Sequence, residues 1–258
     1  MCTLAVYYRA FEGYPLIIAA NRDEHFSRPS TRVQRLAEKP LILGGKDLAA
    51  GGTWLGVSEN GLVAAIVNRR VKTHKAVSAP RSRGLLCLDM LRARDSARAR
   101  NRLEQEDGSG YQPFLLLVAS AAAAFVAYNS GSDISRMKLD AGVHVFGNTS
   151  FCDTNSEKLD HAHQLFSAAI DPLGTELTRP VPQLTSSVKV LQRILRDHRQ
   201  ANHSQDPKDA ICVHTADYGT VSSSVIFQAS AGSRFYFYHA AVAPCRGNFA
   251  AAETLKIS

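Results

Sequence analysis

The first residues of the chain could supply a catalytic group by themselves. The sequence begins MCTLAVYY, so Cys2 stands directly behind the initiator methionine. A small second residue permits the removal of Met1, and Cys2 would then carry a free α-amine beside its thiol. That amine can act as the base that activates the thiol, so one residue supplies both nucleophile and base. We therefore predict that Cys2 is an N-terminal nucleophile.

Polar side chains that such a nucleophile needs follow three predicted strands. The cluster Asn21-Arg22-Asp23-Glu24 ends the strand that should pair with the Cys2 strand, and hairpin geometry returns it towards residue 2. Asp23 could orient the ammonium, and Arg22 could hold the thiolate or bind an anionic substrate. Asn68 and Asn148 end two further strands, and their amides could donate to an oxyanion. Such residues are also common in loops, so their positions alone leave a purely structural role open.

Alternating apolar residues predict that antiparallel hairpins carry these groups. CTLAVYYR and LIIAANRDE form the first hairpin, and TWLGVSENGLVAAIVN forms the second around an Asn-Gly turn. The intervening residues 25–53 contain prolines and paired glycines, which favour loops. Residues 113–128 predict two strands, residues 143–150 one strand that ends in a loop, and residues 211–241 three strands.

Three segments have helical periodicity: residues 82–105, residues 156–170 with Ser156 as the cap, and residues 186–200. The whole pattern predicts an α+β protein with antiparallel sheets and helices packed outside them. No break in composition divides the chain, so we expect a single domain over residues 1–258.

The composition is that of an ordinary globular protein, with 45% hydrophobic and 21% charged residues and a net charge of +7. The chain has no run of about eighteen apolar residues, which excludes a transmembrane helix. The first residues lack the basic region of a signal peptide, so we expect a cytoplasmic protein, with an organelle lumen in a eukaryote as the alternative. Much of the positive charge lies in residues 81–102, which we interpret as a solvated helix face. No aromatic residues interleave these arginines, so nucleic acid is not an expected partner.

The cysteines and histidines do not have the spacing of a metal site. The five cysteines form no Cys-x-x-Cys pair, and we expect reduced thiols. His161 and His163 are two residues apart on a predicted helix, which turns their rings away from each other. The sequence therefore predicts no metal site.

Several long motifs, in order, resemble one family. MCTLAVYY, AANRDEHFSRPS, AAGGTWLGVSENGLVAAIVNRR, FGNTSFCDTNSEKL and ICVHTADYGTVSSSVIF are similar to the NRDE family, also called the transport and Golgi organization protein 2 family. That family is similar to N-terminal-nucleophile (Ntn) hydrolases of the choloylglycine hydrolase and penicillin acylase group. The resemblance implies a four-layer αββα sandwich of two antiparallel sheets.

The resemblance also implies roles for individual residues. Cys2 is the nucleophile position, Asn68 and Asn148 are oxyanion or substrate-orienting positions, and Arg22 and Asp23 form the charged pair beneath the amine. We expect a second set of residues to bind the substrate: Asn21, Glu24, Trp54 and Thr220. Val221 departs from the pattern, because related sequences have an arginine there, and this weakens recognition of an anion at that position.

Two functions of different classes follow. The first is hydrolysis of a linear amide C–N bond by Cys2, with no cofactor required. The alternative is a non-catalytic protein that binds and moves haem or acyl-coenzyme A, for which candidate haem ligands are His25, His74, His214 and His239. A third, less favoured hypothesis is that the protein is a non-catalytic scaffold that binds its partner through the basic helix. The residues concerned are Arg92, Arg94, Arg98 and Arg100. In the first two readings the partner is a small amphipathic molecule, and the sequence does not indicate an oligomeric state.

Overall fold

A computed structural model describes residues 3–69, 80–148, 156–179, 184–200 and 206–258. These residues form two antiparallel sheets and five α-helices. The strands of the first sheet are, in spatial order, β10 (Gly142–Gly147), β1 (Thr3–Phe11), β2 (Tyr14–His25), β11 (Tyr218–Ala229), β12 (Arg234–Ala240) and β13 (Glu253–Lys256). The strands of the second sheet are β3 (Ser30–Glu38), β4 (Leu41–Asp47), β5 (Leu55–Ser58), β6 (Val63–Asn68), β7 (Phe114–Ala119), β8 (Ala124–Asn129) and β9 (Ile134–Lys138). The helices are α1 (Arg83–Leu91), α2 (Ser96–Leu103), α3 (Glu157–Ala168), α4 (Ile170–Leu177) and α5 (Leu184–Leu195).

The two sheets pack face to face around the largest apolar core. Leu4 and Val6 of β1 belong to the same buried cluster as Leu55 of β5 and Leu117 of β7. Successive side chains of a strand point to opposite faces, so the intervening residues of β1 face the other side of the first sheet.

Helices cover the two outer faces. Tyr7 of β1 packs under α3, and its hydroxyl donates a hydrogen bond of 2.7 Å to the carbonyl oxygen of Phe166. On the opposite side of the molecule, Leu116 of β7 shares a buried cluster with Leu86 and Met90 of α1. The order helix, sheet, sheet, helix confirms the predicted α+β class and the four-layer αββα sandwich.

The prediction of a loop-rich segment over residues 25–53 was wrong. This segment contains β3 and β4, which pair with each other at one edge of the second sheet. Of the two glycine pairs, Gly44-Gly45 lies inside β4, where it permits close packing. A Cβ on Gly44 would lie 2.8 Å from the Leu55 carbonyl oxygen, and a Cβ on Gly45 would lie 2.3 Å from the Trp54 ring. Glycine is therefore required here by a neighbouring strand and a ring rather than by a turn.

Two other elements differ from their predictions. The helix predicted over residues 82–105 is divided into α1 and α2, because Asp95 caps the second helix by accepting from the backbone N–H of Arg98. Of the three strands predicted over residues 211–241, two are β11 and β12. The first is reduced to an isolated bridge between His214 and Gly219. Both hairpins, the strand pair near residues 113–128 and the Ser156 cap are confirmed.

Candidate functional site

The candidate site lies where β1 begins and β2 approaches its end. Cys2 lies outside the described residues and is bonded to Thr3. Thr3 is the first residue of β1 and pairs with Asn21 of β2 and with Gly147 of β10. On the far side of β2, Asn21 pairs with Ser223 of β11. β2 and β10 therefore flank Thr3, the residue to which Cys2 is bonded, and β11 lies beyond β2.

Asn21 is completely buried and braces this end of the sheet. Its side-chain amide donates to the carbonyl oxygens of Leu195, at 2.8 Å, and Ile211, at 2.9 Å. Its oxygen accepts a hydrogen bond of 2.6 Å from the Ser223 hydroxyl. Both amide hydrogens are thus used within the protein, and the side chain ties β2 to α5 and to the segment before β11. This geometry is that of a positioning residue, although the sequence analysis expected Asn21 to bind substrate.

Asp23 is also buried, and Thr220 orients it. The Thr220 hydroxyl oxygen accepts from the backbone N–H of Val213 at 2.9 Å. Its own hydrogen is donated to Oδ1 of Asp23 at 2.6 Å. Oδ2 of Asp23 has no hydrogen-bond partner among the described residues, although a buried carboxylate oxygen normally has one. Thr220, expected to bind substrate, therefore contacts the predicted catalytic carboxylate directly.

Arg22 points to the opposite face of β2, between the two sheets. Its Cζ lies 4.4 Å from the centre of the Trp54 ring, a cation–π contact, and Nη1 donates to the Ser30 hydroxyl at 3.3 Å. Burial lowers the pKa of Arg22, while Glu24 and Asp47 act in the opposite direction. Nη2 is buried and has no partner within the described ranges.

A β-bulge separates the two sides of this arrangement. Thr220 pairs with Asp23, whereas Ser222 pairs with Arg22, so Val221 is the extra residue of β11. This is the position at which the family resemblance predicts an arginine. A bulge changes the direction in which the strand presents its side chains, and it lies directly beside the two predicted catalytic charges.

A cavity of about 240 Å³ lies next to Arg22 and Trp54. Arg22, Glu24, Trp54 and Asn68 all line it, so the structure brings together four of the predicted site residues. Two carboxylates and four guanidinium groups also face it, and these charged residues are Glu24, Asp47, Arg22, Arg28, Arg81 and Arg83.

Most of the guanidinium groups around the cavity already have partners. Arg28 pairs with Asp47 at 2.8 Å, Arg81 pairs with Asp89, and Arg83 donates to the Pro113 carbonyl oxygen at 2.9 Å. Arg22 differs from these three, because its Nη2 has no hydrogen-bond partner within the described part of the chain and is available to a ligand.

Asn148 lies beside the start of β1 and is not among the residues that line the cavity. It follows Gly147, the β10 partner of Thr3, and is half-buried. The two asparagines predicted to stabilise an oxyanion thus occupy different surroundings, Asn68 at the end of a second-sheet strand and Asn148 at the end of a first-sheet strand.

The three histidines named as haem ligands that the structure describes do not converge. His74 lies outside the described residues. His25 is exposed and lies near Asp217 and Tyr218. His239 is buried in β12, where Nδ1 lies 3.0 Å from the Ser224 hydroxyl. His214 belongs to a separate cluster.

The environment of His239 predicts a pH-dependent stability. Burial first, and then Arg32 of β3 and Arg22 of β2, lower its pKa from 6.5 to about 4. Between pH 6.5 and about pH 4, the unfolded chain binds a proton on His239 that the folded chain does not. Stability is therefore complete above pH 6.5 and falls as the pH approaches 4, by about 3 kcal/mol. Urea unfolding at pH 7 and pH 4 should show this loss in the wild type and not in His239→Gln. Equal losses in both proteins would contradict the assignment.

The cluster that contains His214 was not predicted from the sequence. Ligand atoms of His198, Cys212, His214 and Cys245 lie within 4.8 Å of one another. Burial, and then Cys245, raise the pKa of the Cys212 thiol to about 12, and burial and Arg246 lower that of His214. The only part of this cluster that the sequence could have indicated is the Cys-x-His pair at residues 212 and 214, because alternate residues of an extended segment lie on the same face.

Solved structures identify the class of fold. Penicillin V acylase from Agrobacterium tumefaciens matches 92% of this chain and 82% of its own, with a TM-score of 0.55 and 15% identity. A conjugated bile acid hydrolase from Clostridium perfringens matches 100% of this chain and 92% of its own, with a TM-score of 0.57 and 10% identity. The fold is that of the Ntn hydrolases.

Residues 1–242 match the family described as Transport and Golgi organisation 2, and the chain belongs to that family. The Transport and Golgi organization protein 2 homolog of Bos taurus is 30% identical over 230 residues, which cover 83% of this chain and 82% of the relative. The predicted resemblance is confirmed. Within the described part of the chain, no helix has the length and apolar character needed to cross a membrane.

Proposed function

We propose that this protein is an Ntn amidase that hydrolyses a linear amide C–N bond with Cys2 as its nucleophile. The supporting observation is a set of four buried side-chain atoms without a hydrogen-bond partner among the described residues. They are Thr3 Oγ1, Arg22 Nη2, Asp23 Oδ2 and Ser222 Oγ. Strand pairing puts all four residues at the end of the first sheet from which Cys2 extends. Buried polar atoms left unpaired are rare and concentrate where a protein meets a reacting group or ligand.

In the proposed reaction the α-amine of Cys2 takes the thiol proton, and the thiolate attacks the carbonyl carbon of the amide. Asp23, held by Thr220, stabilises the ammonium that results. The side-chain N–H groups of Asn68 and Asn148 donate to the oxyanion. The C–N bond breaks when the ammonium returns its proton to the leaving nitrogen. Water, deprotonated by the α-amine, then cleaves the thioester, releases the acid and restores the thiol.

The cavity supports a particular kind of substrate. Trp54 and Ile66 provide apolar surface, and the guanidinium groups around them outnumber the carboxylates. In the proposal, Arg22 and Glu24 orient the polar part of the substrate while Trp54 contacts its acyl part. An N-acyl compound with an anionic group fits this distribution. The two solved neighbours are, by their names, an acylase and a hydrolase of conjugated bile acids.

The test begins with the intact mass of protein expressed without an N-terminal tag, where we expect the loss of one methionine. The same sample is incubated with penicillin V, a conjugated bile acid and a series of N-acyl aminocoumarins of increasing acyl length. We expect release of free acid from at least one of them. Retention of Met1 would overturn the proposal, because the α-amine would then belong to the wrong residue. Saturable binding of haem or acyl-coenzyme A by fully processed protein, without turnover of any probe, would instead favour the carrier function.

A further inference from the structure

A cluster of four side chains on the helix-covered side of the first sheet has the composition of a metal site. We name His198, Cys212, His214 and Cys245 the Cys₂His₂ cluster. Three separate parts of the chain supply it: the segment after α5 supplies one ligand, the segment before β11 supplies two, and the segment after β12 supplies one. The set is two thiols and two imidazoles, the ligands that zinc takes in closed structural sites.

The distances among three of the four ligand atoms, those of Cys212, His214 and Cys245, match a tetrahedral centre. With zinc–sulfur bonds of about 2.3 Å and zinc–nitrogen bonds of about 2.0 Å, two sulfurs lie about 3.8 Å apart, and a sulfur and a nitrogen about 3.5 Å apart. The Cys212 and Cys245 sulfurs are separated by 3.7 Å. Nε2 of His214 lies 3.6 Å from the Cys212 sulfur and 3.2 Å from the Cys245 sulfur. The His198 and His214 rings are adjacent, with their centres 5.1 Å apart.

Hydrogen bonds to backbone carbonyl oxygens hold these ligands in place. The N–H of Cys212 donates to the carbonyl oxygen of Asp197, next to His198, at 2.8 Å. The Gln192 amide of α5 donates to the carbonyl oxygens of Pro244 and Gly247, each at 2.9 Å, and so holds the turn that carries Cys245. Nδ1 of His198 lies 3.2 Å from the Cys212 carbonyl oxygen, a contact of the kind that orients metal-binding histidines.

We propose that the Cys₂His₂ cluster binds one zinc ion, with Cys212 and Cys245 as thiolates and His198 and His214 as neutral imidazoles. The four protein ligands fill the coordination sphere, so the ion is structural and does not take part in hydrolysis. Binding displaces one proton from each thiol, and the two thiolates balance the charge of the ion.

The proposed ion also supports the candidate site. Val213, between two of the ligands, donates its N–H to the hydroxyl that orients Asp23, and its carbonyl oxygen accepts from the N–H of Thr220. Zinc would therefore fix the segment that holds Thr220 against Asp23, and would join it to the segment after β12.

The test uses the full chain without a polyhistidine tag, purified from zinc-supplemented cells without chelator. Elemental analysis should find about one zinc per chain, and less than about a tenth of that in Cys212→Ser/Cys245→Ser. Cys87→Ala, which removes a buried thiol in α1, and His163→Ala, on the exposed side of α3, are matched controls that should retain the metal.

A second measurement uses only the wild type, in case the double variant does not fold. The stripped protein, reduced and then loaded with cobalt(II), should develop the intense visible absorption of a tetrahedral thiolate site. Zinc should raise its melting temperature, and a chelator should reverse that change. Folded, reduced protein that binds neither ion would overturn the proposal. An intact mass lower by two hydrogen atoms, with Cys212 and Cys245 in one cross-linked peptide and no recoverable metal site after reduction, would also overturn it and assign the pair as a disulfide.

Discussion

Cys2→Ala is expected to abolish hydrolysis of every amide that the wild type cleaves, by roughly a thousand-fold or more. Alanine lacks the sulfur that attacks the carbonyl carbon, but it is small enough to preserve the removal of Met1. The α-amine, Arg22 and Asp23 therefore remain in place, and the loss reports the nucleophile alone. Steady-state release of free acid, measured beside the intact mass and the melting temperature of each protein, checks the prediction.

Cys87→Ala is the matched control for this experiment. Its thiol is completely buried among the apolar side chains between α1 and the second sheet, and burial raises its pKa well above the ordinary range. This variant should keep its activity, whereas Cys2→Ser should retain a small part because a hydroxyl is a weaker nucleophile. Undiminished turnover by Cys2→Ala would show that another group carries out the reaction.

Asn21→Ala is expected to lower the free energy of unfolding by roughly 3–5 kcal/mol. The substitution leaves two carbonyl oxygens and one hydroxyl without the partner that they have in the wild type, in a position with 0% exposure. Each buried group left unpaired costs about 1–3 kcal/mol. Urea unfolding monitored by the single tryptophan, Trp54, would measure the loss.

Asn60→Ala provides the comparison for Asn21→Ala. Asn60 is half-buried in the turn between β5 and β6, and its amide makes one hydrogen bond of 2.9 Å to the Ala93 carbonyl oxygen. Its loss should cost about 1 kcal/mol. If the two asparagine variants were equally stable, Asn21 would not be the brace described above, and its expected role in substrate binding would regain support.

Local sequence patterns predicted the elements whose causes are themselves local. The alternation in β1 and β2, the Asn-Gly turn at residues 60 and 61 and the Ser156 cap involve residues close together in the chain. The glycines of β4 were misread because their cause is the Leu55 carbonyl oxygen and the Trp54 ring, which reach them from another segment. A glycine needed for close packing has no local signature that distinguishes it from a glycine in a turn.

The same distinction applies to the candidate site. The types of Arg22 and Asp23 and their position near the end of β2 were predictable from the sequence, because the hairpin of β1 and β2 is formed by neighbouring segments of the chain. The structural use of Asn21 was not, since its partners Leu195 and Ile211 are 174 and 190 residues away. The Cys₂His₂ cluster has the same cause: its members are spread from residue 198 to residue 245, and the fold alone brings them together.

The pairing of β2 with β11 also determines when this end of the sheet can assemble. Asp23 contacts Thr220 at a sequence separation of 197 residues, so Arg22 and Asp23 cannot be enclosed until nearly the whole chain has been synthesised. At roughly 5–20 residues per second, a ribosome needs roughly 10–40 s to supply that length. β11 can therefore pair with β2 only after this interval, so the end of the first sheet that contains Thr3 and Asn21 is completed late. In the proposed function, this interval is available for the removal of Met1.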